Sequence, residues 1–417
     1  MSNAVPEGWE VKTVGDIGSV VTGSTPSTTE PLFWGGATPF ISPADFDGKI
    51  YIDKTSRTLS DEGTKKAREL PKDAILVTCI GSLGGMALTS KPSVTNQQIN
   101  AVVAEENQES RFHFYNILFN MHELIKSAGT TTLPIINKST FSQINLLFPP
   151  LLEQQKIATI LSSVDDVIEK TRAQIDKLKD LKTGMMQELL TKGIGHTEFK
   201  DSPVGRIPKG WECKKIDQLA GFVTSGSRGW AQYYSEAGPI FIRIGNLTRE
   251  HINLRFNDTV YVSPPDSAEG KRTQVQLGDV LISITADLGV IGVINESIGE
   301  AYVNQHVSLV RLSDPTMARW VGHFLAFENT QKQFIENNDA GAKAGLNLSA
   351  IRNTMVAIPW QHEREKIVAI LDSIDRDIVM KRSMLDRVFS IKKALMQDLL
   401  TGKVRVKLNE SATIEND

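Results

Sequence analysis

Two stretches of the chain place apolar residues every three or four positions and contain no proline. In 153–191 these are Ile157, Ile160, Leu161, Val164, Val167, Ile168, Ile175, Leu178, Leu181, Met185 and Leu189. In 363–401 they are Ile367, Ile370, Leu371, Ile374, Ile378, Leu385, Val388, Ile391, Leu395 and Leu399. The spacing predicts one long amphipathic helix in each stretch. Each holds 39 residues, roughly 58 Å at about 1.5 Å per residue. So narrow a stripe on so long a helix cannot be covered by one small domain and wants a partner helix, most simply its twin. Gly184 lies mid-helix where the twin has Ala394, a local weakness of about 1 kcal/mol.

The residues ahead of each helix follow another pattern. They are rich in Gly, Ser, Thr, Pro and β-branched residues, and short apolar runs such as Pro39-Phe40-Ile41 and 240–244 read as strands between turns. Phe112 to Lys126 and Ala318 to Glu336 read as helices. Each such region is expected to be a mixed α/β (α+β) globular domain. Pro149-Pro150 and Pro359 mark where each domain gives way to its helix. The Gly and Pro punctuation between Gly193 and Pro208 reads as a linker. The expected organisation is a domain over 1–150, a helix over 151–192, a linker over 193–207, a second domain over 208–360, a second helix over 361–402 and a tail over 403–417.

The two halves are copies. Pro6-Glu-Gly-Trp9-Glu returns as Pro208-Lys-Gly-Trp211-Glu at an offset of 202. Asn96-Gln97-Gln98 returns as Asn304-Gln305-His306 at 208, and Glu153-x-x-Lys-Ile-x-x-Ile-Leu161 returns as Glu363 to Leu371 at 210. A slow upward drift is what loop insertions leave in a duplicated domain; the period is too long for a solenoid. The predicted architecture is two duplicated globular domains separated by two long antiparallel coiled-coil helices, pseudo-two-fold symmetric. Such a calliper suits a linear ligand, and DNA presents its major groove about every 34 Å on one face. A structural spacer would use the same geometry.

Composition narrows the classes. The 417 residues are 40% hydrophobic and 23% charged, with a formal charge of −3. A packed core is expected and a broadly basic, histone-like protein is excluded. Two cysteines, Cys79 and Cys213, build neither a disulfide framework nor a four-cysteine zinc site. The first ten residues lack an apolar signal core, and the apolar run from Ala74 to Leu88 is broken by Gly81, Gly84 and Gly85. A soluble, cytoplasmic protein with no membrane partner is expected.

The ordered motifs resemble the specificity subunit of type I restriction–modification enzymes over nearly the whole chain. The resemblance rests on Pro-x-Gly-Trp opening each half (Pro6, Gly8, Trp9; Pro208, Gly210, Trp211) and on Trp34-Gly35-Gly36 before Pro39-Phe40. It rests also on the Asn-Gln-Gln/His segments, on Glu-x-x-Lys-Ile-x-x-Ile-Leu opening each helix, and on Met-Gln-Glu/Asp-Leu-Leu-Thr closing it at 186–191 and 396–401. No one motif is very specific; their duplicated order is. The resemblance implies two target-recognition domains, each reading one half of a split site in double-stranded DNA. It implies helices that dock two modification (methyltransferase) subunits, and restriction/motor subunits that cut. The chain would be a non-catalytic adaptor with no cofactor of its own, and S-adenosylmethionine, ATP and magnesium would sit on the partners. The second copy has Tyr234-Ser-Glu-Ala-Gly-Pro-Ile where the first has Trp-Gly-Gly, so an asymmetric target is expected.

The sequence carries little chemistry of its own. Neither Pro-Pro pair, Pro149-Pro150 or Pro264-Pro265, sits in the Asn/Asp-Pro-Pro-aromatic loop of an adenine methyltransferase, and no Gly-Lys is followed by Ser or Thr as in a phosphate loop. Pro265-Asp266 with Glu269-x-Lys271 only superficially matches a magnesium nuclease, and the histidines lack metal-ligand spacing. A self-sufficient DNA enzyme is therefore disfavoured; a structural coiled-coil adaptor without DNA specificity remains the alternative.

Neither domain is globally basic: residues 1–150 carry 12 basic and 15 acidic side chains, and 210–360 carry 13 and 15. A DNA face must then be local. The phosphate and base candidates of the first domain are Lys54, Arg57, Lys65, Lys66 and Arg68; those of the second are Arg228, Arg243, Arg249, Lys271 and Arg272. A solvated charged face is the competing reading, since Asp61, Glu62 and Glu69 are interleaved. Gln97, Gln98 and His306 can pair with base edges or serve the fold. Ser42 and Asp45 are the first-copy counterparts of Arg243 and Asn246, where readout differences are expected. Thr130 and Lys343 lie in matching Gly-containing loops. Trp230, Tyr233 and Tyr234 read as core more readily than as stacking platforms. On the helices, Met186 and Met396 are the expected partner-binding apolar residues.

Overall fold

The structure is a computed structural model that describes residues 5–127, 135–296, 298–336 and 345–408. The chain divides into two compact units, one of residues 1–172 with 384–417 and one of residues 173–383. Each holds one globular head and parts of both long helices.

In the first unit, buried β-branched runs build a five-stranded sheet ordered Gly18–Thr22, Ile99–Ala104, Ile75–Thr78, Met86–Thr89, Tyr51–Ile52. All neighbours are antiparallel except the last pair. A second sheet runs Arg57–Leu59, Trp34–Ile41, Ser93–Thr95, Glu69–Leu70, with Trp34–Ile41 parallel to Ser93–Thr95. Glu10–Thr13 pairs with Asn145–Phe148. This brings Trp9 to the first long helix, where its indole N–H donates to Glu153 at 3.4 Å. Arg405 also holds Glu153, at 3.0 Å through Nε.

The second unit repeats the plan. Its four-stranded sheet runs Ala220–Ser225, Val307–Leu312, Asp279–Ser283, Ile291–Val293. Beside it Tyr234–Ile242 lies parallel to Ala301–Val303 and antiparallel to Tyr261–Val262. Trp211 donates to Glu363 at 3.0 Å, the counterpart of Trp9 on Glu153. His196 from the linker holds the same carboxylate at 2.9 Å.

The structure corrects several sequence-based expectations. The helix expected over 112–126 is two, Ser110–Phe119 and Met121–Ser127, parted at Asn120, whose amide donates back to the Asn116 carbonyl. The helix expected over 318–336 is likewise Ala318–Ala326 and Glu328–Glu336. Phe327 takes extended backbone there and is buried at 5% exposure, so apolar burial ends the helix without Gly or Pro. Within the linker, Phe199–Ser202 and Gly205–Pro208 form a hairpin closed at Gly205, whose φ of +99° suits glycine.

The long helices span Leu151–Lys192 and Gln361–Leu400. Each turns a strict seven-residue row inward: Leu161, Ile168, Ile175, Lys182 and Leu189 in the first, all buried, and Leu371, Ile378, Leu385, Lys392 and Leu399 in the second, all buried but the half-buried Lys392. Lys182 is inside, at 8% side-chain exposure, whereas Leu181 and Val167, counted in the predicted stripe, are exposed. In the second unit Lys182 Nζ lies 2.6 Å from Asp375, which is fully buried. In the first, Lys392 Nζ lies 2.6 Å from Asp165. The pairing of early residues of one helix with late residues of the other makes the helices antiparallel within each unit. In the first unit Ile157 and Leu161 share a core with Leu399 and Leu400. In the second, Met186, Leu189 and Leu190 share one with Ile367 and Leu371. Each such side chain contributes about 1.5–3 kcal/mol by burial.

Candidate nucleic-acid interface

The candidate interface is a set of loops at one end of the two sheets, built the same way in both heads. Where the first sheet strand ends, Gly23 passes within 2.1 Å of where the Asn96 carbonyl would meet a Cβ, so only glycine fits; Gly226 meets Asn304 in the same way at 2.2 Å. The close approach lets Ser24 N donate to Thr95 O at 2.8 Å and Ser227 N to Val303 O at 2.8 Å. The central strand's carbonyl then receives the amide turn: Asn96 N donates to Ile41 O at 3.0 Å, Asn304 N to Ile242 O at 2.9 Å. A fourth loop closes the set, with Cys79 N on Gln98 O at 2.8 Å and Ile284 N on His306 O at 2.9 Å. These bonds pair Ser42 with Arg243 and Gln98 with His306.

The turn after the central strand shows which candidates hold the frame. Ser42 N and Oγ both donate to Asp45, at 2.8 and 2.7 Å, and Asp45 also accepts from Ser56 N at 2.8 Å. These hydrogen bonds oppose its burial and hold the carboxyl below its ordinary range. In the second head Arg243 N donates to Asn246 Oδ1 at 2.8 Å, and the Asn246 amide donates to Arg255 O at 3.0 Å. Asn246 is 2% exposed. Asp45 and Asn246 therefore spend their polar atoms shaping the turn.

The amide turns are similarly occupied. Gln97 is exposed and accepts from Thr25 Oγ1 at 2.6 Å. Half-buried Gln98 accepts from Asn96 Nδ2 at 2.9 Å. His306 shares Nδ1 with Thr285 Oγ1 at 2.8 Å.

The basic candidates of the first head are all exposed. Arg57 stacks on the Trp34 ring at 3.5 Å, which explains the use of the Trp-Gly-Gly segment. Lys65 pairs with Glu62 at 2.8 Å, and Arg68 donates to Thr22 O at 2.6 Å. Neither Lys54 nor Lys66 has a pair among the described salt bridges.

In the second head Arg228 and Lys271 are exposed, Lys271 at 4.0 Å from Asp266. Arg249 is engaged by Asp287, by Leu288 O at 2.7 Å and by Gln331 at 3.3 Å. Arg272 is tied to Ser225 O at 2.6 Å. Thr130 and Lys343 lie outside the described residues. Met186 is a correction: at 7% exposure it packs inside the second unit's core and offers no surface to a partner. Met396 is half-buried against the first unit's core.

One feature of the second head escaped the sequence reading. Arg243, Gln305 and His306 line a cleft of about 510 Å³ with Trp230, Tyr234 and Phe241. Trp230 stacks on Phe241 with ring centroids 5.6 Å apart, while Tyr234 stays 47% exposed. Asp258 grips Arg243 across the cleft at 3.0 Å. Asp258 has no sequence signal, because it comes from an irregular loop that only the fold brings beside the central strand. Among the described residues no group of three His, Cys, Asp or Glu could hold a metal ion, and no helix is long and apolar enough to cross a membrane.

A family profile described as "Type I restriction modification DNA specificity domain" matches residues 6–180 and again residues 208–384. The type I restriction enzyme MjaIX specificity subunit of Methanocaldococcus jannaschii is 27% identical over 97% of this chain and 95% of its own length. The HindI specificity subunit of Haemophilus influenzae is 34% identical over 42% of this chain and 40% of its own. Among solved structures, the S subunit of a type I restriction–modification system from M. genitalium superposes with a TM-score of 0.63. It does so at 14% identity over 96% of this chain and 97% of that one, a likeness of fold.

Proposed function

The chain belongs to the type I restriction–modification DNA specificity family, and on that footing we propose that it is the DNA-specificity subunit of a type I complex, each head reading one half of a bipartite, asymmetric target. The observation that carries this is the loop frame built twice on the same hydrogen bonds but bearing different side chains, Ser42 and Gln98 against Arg243 and His306. A shared frame keeps the protein–DNA register, and exchanged side chains change what is read. The chain is non-catalytic on this reading. Two modification subunits supply methyl transfer with S-adenosylmethionine, and restriction subunits supply cleavage with ATP and magnesium.

The long helices support a docking role. Val379 and Met380 in the second unit, and Phe389 and Ile391 in the first, are exposed apolar residues on the second long helix, as are Val167 and Leu181 on the first. They replace Met186 as the side chains a modification subunit would cover. A structural adaptor without DNA specificity would have no use for two chemically distinct loop sets on one frame.

The test is adenine methylation of unmodified genomic DNA by the purified chain, the cognate modification subunit, or both. Methylation at one defined motif only when both are present is expected. The same motif from the modification subunit alone, or methylation by this chain alone, would overturn the proposal.

A further inference from the structure

The frame is common to both heads, so the chemistry that differs on it must distinguish their half-sites. The largest difference is at the position after the central strand, Ser42 in the first head and Arg243 in the second. Ser42 is already spent: its hydroxyl caps Asp45 at 2.7 Å. Arg243 is not. Its Nη2 donates to the Asp258 carboxylate at 3.0 Å and to the Asp258 carbonyl at 3.3 Å. Its Nε is buried without an acceptor, and no bond engages Nη1 among the described residues.

Arg249, Arg272 and Arg311 lack this reserve, and exposed Arg228 has no side-chain bond among the described residues to hold it in one place. Arg249 and Arg272 lie on carbonyls and side chains of their own head, and Arg311 makes two bonds to Asp279 at 2.8 and 2.7 Å. Arg243 is thus a part-exposed guanidinium tethered through Nη2 to the exposed Asp258, in a cleft wide enough to admit a ligand edge, with Nη1 left to donate. Holding it near its binding position lowers the ordering cost. Among base edges in the major groove, guanine alone offers two acceptors side by side, N7 and O6, which arginine matches.

We propose that Arg243 is a specificity-determining residue that reads a guanine in the half-site of the second head, with Asp258 as its positioning residue, and that Ser42 leaves the first head without an equivalent reader. This rests on the DNA-reading function proposed above.

The test is methylome sequencing of cells expressing the modification subunit with the wild-type chain, with Arg243→Ser or with Arg243→Gln. The wild-type chain should yield a split motif with a required G·C pair in one half. Arg243→Ser should keep the other half intact and relax that one pair, with preference for guanine falling by about tenfold or more. Arg243→Gln keeps a polar side chain that fills more of the cleft than serine, so it covers the case in which serine unfolds the cleft; it too should lose the guanine at that position.

A guanine retained by Arg243→Gln overturns the proposal. So does relaxation at a pair other than G·C, or a uniform loss of methylation with the motif unchanged, which would mark a phosphate contact. A wild-type chain that adds no motif at all would instead sink the functional reading on which this one stands.

Discussion

His113 is buried in the first head, donating from Nε2 to Gln108 Oε1 at 2.8 Å while Nδ1 has no hydrogen-bond partner. Burial pushes its pKa down from 6.5 to about 3. The unfolded chain therefore binds a proton below about pH 6.5 that the folded chain refuses until about pH 3. Stability falls as pH falls through that window, by up to about 1.4 kcal/mol per pH unit. Val321 holds the matching place in the second head, so His113→Val should flatten the slope between pH 6.5 and 5. Urea midpoints across that range measure it; an unchanged slope would show that the imidazole already takes its proton in the fold. Sequence alone gave His113 no role, because nothing in its neighbours reports burial. Asn246 and Asp45 show the same limit: their copy-to-copy correspondence was legible, but not that both would be consumed in shaping a turn.

At the scale of elements, the long helices offer two opposite tests. Gly184 sits mid-helix with open space where a Cβ would go. Gly184→Ala should add about 1 kcal/mol, read as a raised denaturation midpoint, and an unchanged midpoint would mean that the helix is frayed there. The Lys182–Asp375 pair tests the interior. Lys182→Ala leaves Asp375 buried and uncompensated, a cost of about 3–5 kcal/mol. Lys182→Met with Asp375→Leu should recover most of that cost. If the single and double variants are equally destabilised, the pair's packing and not its charge matters.

Helix existence and near-correct ends were legible from the apolar period and the bordering prolines. The inner face was displaced by a residue at one point, because a lysine in a seven-residue row looks like surface. Only the partner helix shows that its stem covers apolar neighbours and its ammonium meets a carboxylate. The break at Phe327 was invisible for a related reason: tertiary burial ends that helix, and no local residue announces it, whereas at Asn120 the side chain turns back on the Asn116 carbonyl.

Across the whole molecule, duplication is the most legible feature, since it needs only the chain compared with itself. It carries into geometry as pairs of matched contacts: Trp9 with Trp211 on their glutamates, and Lys392 with Lys182 on their aspartates. What the sequence could not give was the chemistry of readout, because the loops that carry it come from four separate segments brought together only by the fold. The matched contacts imply that either head fits either helical seat.

The most direct test replaces residues 208–358 by residues 6–148 and reads the methylome of cells expressing that chimera with the modification subunit, beside the wild type. The account predicts a split asymmetric motif for the wild type. For the chimera it predicts one half retained and the other replaced by a copy of it. A chimera that methylates the wild-type motif unchanged, or one in which both halves are altered, would contradict the claim that each head reads its own half of the target.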